Sequence, residues 1–345
     1  MQLASGLILM FKLDLLNCTL NIEALSKKGL IFMRPFFCFK QINIHLYNNK
    51  KINLMYSIFH VEGGIGKNIL ATSVIESLKK SDPEREIIVV TAWPAVWFNN
   101  PNISQIYPLG QVANFYKKFI KNQDVKVFRQ DPYHTEDYIL NRKHLINIWC
   151  DLIGVENKSQ GPNLHFSPLE LQSVQLKMLS GAQKPIFLLH SNGGGQSGRP
   201  YSWYRDIPIQ NLQDIVEYFK NDYHIYQIGY ENQLMIEGCH RLTLDTREIL
   251  ASVIFCRKRL LIDSFSQHAA AALGQKSVVC WVGNKPEVLG YASHINVVPN
   301  IEPKFDTLHS SYLDDADISG NPIQFPYDRL KIFDSNEIIN KLIEL

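Results

Sequence analysis

The sequence lacks most of the features that decide a chain's class at a glance. Its six cysteines, Cys18, Cys38, Cys150, Cys239, Cys256 and Cys280, are scattered and include no Cys-x-x-Cys pair. That spacing excludes a disulfide framework and a finger-type zinc site, since Cys239 beside His240 has no second ligand pair in register with it. The thiols read as reduced core residues of a cytosolic, and so cytoplasmic, protein. No apolar run approaches the ~20 residues of a transmembrane helix. No charge sign dominates, 35 Lys and Arg standing against 33 Asp and Glu, so a nucleic-acid footprint is not indicated. No Asp-x-Asp pair lies in a turn suited to a metal ion, and the expectation is chemistry with neither metal nor cofactor.

What is present suffices for two ordinary cores: 345 residues, 46% hydrophobic and 20% charged, lie outside the disordered and fibrous classes. The charge is uneven. Residues 1–54 carry seven Lys and Arg against two Asp and Glu and include Met10 and Met33. This stretch shows no clear helical or strand period and is read as an extension, with Met55 the expected natural start. A secretory leader is not expected, because Lys12 and Asp14 follow an apolar run of only Leu7–Phe11. Asn17 before Cys18 makes a poor lipidation site.

From Met55 onward, strands and helices alternate twice over, with a glycine-rich strand-to-helix turn in each half. The first turn reads Glu62, Gly63, Gly64, Ile65, Gly66, Lys67, Asn68, between a strand at 58–61 and a helix predicted over 69–80. Gly-Gly-Ile-Gly-Lys resembles a variant P-loop, but Asn68 replaces the Ser or Thr that holds Mg²⁺, and Val61 replaces the leading glycine. Glu62 either pairs with Lys67 across the turn or acts as a base. After a strand at 124–128 come Asp131 and His134, either a solvated pair or two groups converging on an acceptor hydroxyl. His144 opens a helix as a cap or a packed residue.

The second half opens with a strand at 185–190 and the loop Ser191, Asn192, Gly193, Gly194, Gly195, Gln196, Ser197, Gly198, Arg199, with Arg205 nearby. Such a loop either wraps a phosphate or forms a lid. A strand at 224–228 precedes Glu231. The most informative stretch runs from Ile262 through Asp263, Ser264, Phe265, Ser266, Gln267 and His268 to four alanines, Leu273 and Gly274. It reads as a strand end, a tight turn and a small-residue helix whose N-terminal amides favour a phosphate.

This second stretch resembles glycosyltransferase family 9, the ADP-heptose:lipopolysaccharide heptosyltransferases, on Asp263, Ser264, His268, Ala270, Ala271, Ala272, Leu273 and Gly274. Phe265, Ser266 and Gln267 replace the family's Gly-Pro-Met. In the first turn Gly66, Ile69, Leu70 and Thr72 align with the family, while Lys67 stands where its catalytic aspartate is found. The resemblance spans roughly residues 55–300.

It implies a GT-B fold, two Rossmann-like parallel-sheet domains facing a cleft: an acceptor-side domain at 55–165, a nucleotide-sugar domain at 166–328 and a closing helix within 329–345 at their junction. It also implies donor-binding roles for Asn192, Gly193, Gly194, Arg199, Arg205, Glu231, Asp263, Ser264, Ser266, Gln267 and His268. The base falls among Glu62, Asp131 and His134, beside the turn of Gly63, Gly64, Gly66, Lys67 and Asn68. The expected activity is inverting, metal-independent transfer of a sugar, heptose among the candidates, from a nucleotide-diphosphate donor to a glycan or lipopolysaccharide-type acceptor, with peripheral membrane contact open. A non-catalytic nucleotide-sugar or glycan binder is the second reading, and a P-loop-like NTPase the third.

Overall fold

A computed structural model of the chain describes residues 55–110, 112–193, 204–229, 231, 233–304 and 325–345, together with two strands near the N-terminus. Those strands, β1 (Ile8–Leu13) and β2 (Leu20–Leu25), pair antiparallel within a unit covering residues 1–51. The alternation Leu20, Asn21, Ile22, Glu23 was the available signal for strand structure in the extension.

The second unit holds two all-parallel sheets. The first contains β3 (Met55–Val61), β4 (Glu86–Thr91), β5 (Gln105–Pro108) and β6 (Asp124–Phe128) in the order β5-β4-β3-β6. Its connections include α1 (Ile65–Ser81) and α2 (Pro94–Trp97), and α3 (Glu136–Ile139) and α4 (Leu145–Leu152) follow β6. After α5 (Pro168–Ser180) the chain enters the second sheet through β7 (Ile186–His190). That sheet adds β8 (His224–Ile228), β9 (His240–Arg241), β10 (Lys258–Ile262), β11 (Val278–Cys280) and β12 (Ile295–Val297), in the order β12-β11-β10-β7-β8-β9. It is flanked by α6 (Ile209–Phe219), α7 (Thr246–Ser252), α8 (Phe265–Ala272), α9 (Pro286–Leu289) and α10 (Ser335–Ile343).

Both orders are doubly wound. The chain starts in mid-sheet, builds toward one edge and returns to build the other, so a crevice opens where the direction reverses. In the first sheet that point lies between β3 and β6; in the second it lies between β7 and β10. Strands β7 and β10 are buried throughout, and their apolar stretches 186–189 and 260–262 are what a sheet covered on both faces requires.

Two local readings change, and one connection is irregular. Helix α1 starts at Ile65 rather than 69, because Gly63 takes φ +92° and Gly64 an extended conformation at the N-cap. Gly66, Lys67 and Asn68 therefore sit in its first turn, and only residues 62–64 separate strand from helix, too few for a phosphate-wrapping P-loop. On the other face of the first sheet a single π-helical turn, Tyr116–Ile120, takes the place of a full helix, its Phe119 set edge-on to Tyr56 with centroids 5.4 Å apart. Helix α10 buries Ile338, Ile339 and Leu342 in the core of the second sheet with Leu212, Ile215 and Leu260. The expectation of a place at the domain junction is corrected by that packing, since α10 presents its apolar face to α6 and the sheet.

Candidate active site at the two switch points

Helices α1 and α8 meet directly. A Cβ added to Gly66 would lie 3.0 Å from His268 Cδ2 and 3.5 Å from the Phe265 Cα, a tight approach that the missing side chain of Gly66 relieves. The same contact joins the cores: Ile69, Leu70 and Trp149 share one buried cluster with Leu261, Ala269, Ala270 and Trp281. Neither helix has a side-chain N-cap or an acidic residue in its first turn. Two uncapped helix starts, one from each switch point, thus lie side by side with their amide partial charges uncompensated.

On the first-sheet side Lys67, 8% exposed, donates to Asp131 Oδ2 at 2.5 Å, spanning the switch point between β3 and β6. The Lys67 ammonium also lies over the rings of Tyr133 (5.1 Å) and Trp149 (5.7 Å). Asp131 Oδ1 accepts from the Tyr133 backbone N–H at 3.1 Å, which fixes the carboxylate on its loop. Glu62 does not pair with Lys67. It bridges to Arg129 at 2.6 Å instead, both groups well exposed. His134 is exposed. The Asn68 amide, fully buried, bonds Gly64 O, Thr91 and Trp97, and its role is local. His144 caps α4, its Nδ1 accepting from Ile146 N, so its Nε2 carries the proton and donates to Gly290 O at 3.0 Å. Burial lowers its pKa.

On the second-sheet side Asp263 is buried and accepts from Asn284. Burial raises its pKa, opposed by the Arg205 guanidinium and the Asn284 bond. Arg205 lies against Gly193, where an added Cβ would be 3.1 Å from its Cδ. Asp206, absent from the sequence-based set, braces the loop stem by accepting from Gly193 N (2.7 Å) and Asn192 Nδ2 (3.1 Å). The hydroxyl of Tyr133 is pushed well above its usual pKa, first by burial and then by Tyr138, Asp263 and Asp131, with Arg205 opposing. Asp263 and Arg205 thus act electrostatically on Tyr133, the residue whose backbone N–H holds Asp131.

The side chains of Ser266, Gln267 and His268 face inward. Ser266 Oγ lies 2.6 Å from His190 Nδ1, Gln267 donates to Leu289 O, and His268 Nδ1 lies 2.8 Å from the Tyr291 hydroxyl. All three side chains, expected at the donor, are thus engaged within the protein. Glu231 is exposed. Gly194 and Arg199 lie outside the described residues. Among the described residues no cluster of three or more His, Cys, Asp or Glu has a metal-binding arrangement, and no helix is long and apolar enough to cross a membrane.

Two Rossmann sheets with their switch points brought together define the GT-B class of fold. No protein-family model and no curated protein matches the sequence. Solved structures do. The glycosyltransferase family 9 protein from Veillonella parvula DSM 2008 aligns with TM-score 0.60 at 13% identity, over 86% of this chain and 100% of its own. The E. coli ADP-heptose lipopolysaccharide heptosyltransferase II gives TM-score 0.60 at 14% identity, over 84% and 98%. The iron-containing dodecameric glycosyltransferase TibC of enterotoxigenic E. coli H10407 gives 0.59 at 12%, over 85% and 76%. The chain has the fold of these enzymes.

Proposed function

We propose that this chain is an inverting, metal-independent glycosyltransferase that moves a sugar from a nucleoside-diphosphate donor to a hydroxyl of a lipopolysaccharide-type glycan, with heptose the first sugar to test. The observation that carries the reading is the meeting of α1 and α8 at Gly66, which sets the Lys67–Asp131 pair opposite the uncapped start of α8 and Arg205. The structural neighbours support it, one named for ADP-heptose and another solved in complex with ADP-D-β-D-heptose. The 55–165 half is the acceptor side and the 166–328 half the donor side.

In this reaction the acceptor oxygen attacks the anomeric carbon from the face opposite the diphosphate. The new C–O bond forms as the bond to phosphate breaks, and the hydroxyl proton passes to a carboxylate. Asp131 takes that role: it sits at the C-terminal end of β6, at the switch point, held by Lys67 and the Tyr133 amide. Glu62 and its Arg129 bridge lie away from that pair. Charge developing on the departing diphosphate meets the α8 amides and Arg205, a fixed positive potential of the kind that stabilises such leaving groups.

The test is transfer from nucleoside-diphosphate sugars, ADP-heptose first, onto truncated lipopolysaccharide cores, with and without chelator. Turnover should be indifferent to chelator. Asp131→Asn should lower kcat by roughly 10² to 10⁴, the usual contribution of a positioned base, with donor affinity kept. Glu62→Gln should run near the parent rate. An unchanged rate in Asp131→Asn would remove Asp131 as base, and donor binding without any transfer would favour the non-catalytic binder.

A further inference from the structure

The face of the first sheet turned away from α1 is thinly covered, and its surface is both basic and apolar. Where a Rossmann half ordinarily lays a long helix, this chain lays the π-helical turn Tyr116–Ile120, anchored by Phe119 and Phe115 on Tyr56 and Tyr107. The residues that the turn presents outward are Tyr116, 65% exposed, with Lys117, Lys118 and Lys121, all exposed. Among the described residues Lys117 and Lys121 make no hydrogen bond or ion pair, and Lys118 reaches the neutral Gln105 and Tyr107 and lies over the Phe119 ring. Strand alternation puts Val127 (54% exposed) on the same face as Val125, and Leu109 (37%) directly follows β5, the strand that carries Tyr107. The carboxylates sharing this face are Glu62, already bridged to Arg129, and Glu86 beside Tyr56.

We propose that this face docks on an anionic phospholipid bilayer, with Tyr116, Val127 and Leu109 entering the headgroup layer and Lys117, Lys118 and Lys121 meeting lipid phosphates. Lysines alone would suit any polyanion. The exposed tyrosine and aliphatic side chains among them favour a surface with an apolar interior, where an aromatic ring with a polar tip is at home. The same strand that exposes Val127 ends at the loop carrying Asp131, so docking brings the bilayer to the acceptor side of the site. The proposal stands apart from sugar transfer, and its test requires none.

The full chain is sedimented with vesicles of phosphatidylcholine alone and of equimolar phosphatidylcholine and phosphatidylglycerol, in rising sodium chloride. Binding to the anionic vesicles alone, weakened by salt, is expected. Each lysine near such a surface contributes about fivefold in partitioning, so Lys117→Glu/Lys121→Glu should weaken binding by roughly 25-fold or more. Lys117→Arg/Lys121→Arg should retain binding, and Tyr116→Ala should lose part of it at unchanged charge. No preference for anionic vesicles would overturn the proposal, as would equal binding by the parent and the charge-reversed variant. Capture of heparin or single-stranded DNA without vesicle binding would overturn it in favour of a soluble polyanion.

Discussion

Lys67 occupies the third residue of α1, where the helix field disfavours a cation, and the counter-charge comes from Asp131, 64 positions away in sequence. No local pattern joins the two, and so the sequence suggested Glu62 as the nearer partner. His190 and His268 show a second residue-scale consequence of enclosure. Burial lowers their pKa values to about 4 and about 3, against ~6.5 for a free imidazole. Below pH ~6.5 the unfolded chain takes up protons that the folded chain does not, so the stability these groups contribute is complete above that pH and is lost as pH falls toward their folded values. The two together should approach a slope of about 2.7 kcal/mol per pH unit in mildly acid solution, and His268→Gln should remove about half of that histidine contribution. Chemical denaturation midpoints between pH 7 and 5 measure it; a flat profile would show that neither imidazole is held neutral.

At the scale of elements, the contact between α1 and α8 is the most sensitive. Alanine is the better helix former by about 1 kcal/mol, yet Gly66→Ala should destabilise by roughly 1 to 3 kcal/mol, because the new methyl meets a His268 ring fixed by Tyr291. Urea unfolding decides it: a variant as stable as the parent would mean that the helices do not meet at this position. Strands 124–128 and 224–228 were legible from their spaced apolar residues, Val125, Val127 and Phe128 in one and Ile225, Tyr226 and Ile228 in the other. The start of α1 was not, since Gly-Gly-Ile-Gly reads as loop until α8 supplies the packing that offsets glycine's conformational cost. The inward turn of Ser266, Gln267 and His268 was hidden for a related reason: their partners His190, Leu289 and Tyr291 come from other segments. The same distance in sequence concealed Asp206 and Asn284, whereas Asp263, Arg205 and Asp131 could be found as charged residues following strands.

At the scale of the whole second unit, one residue ties its parts together. Arg247 at the start of α7 bonds Ala95 O beside the first sheet and Glu170 and His165 in the connecting segment, with its guanidinium 4.0 Å from the Phe166 ring centroid. The two switch points are thus held in register by α1 on α8 and by this hub, and a donor bridging them is the central claim. Calorimetric titration of the full chain and of Asp263→Ala with ADP-heptose, and with UDP- and GDP-sugars in parallel, tests it most directly. One nucleoside-diphosphate sugar should bind at a single saturable site, and Asp263→Ala should weaken it at least about tenfold, ~1.4 kcal/mol, while remaining folded. Binding of none of them, or an unchanged Kd in Asp263→Ala, would contradict a donor site between the switch points.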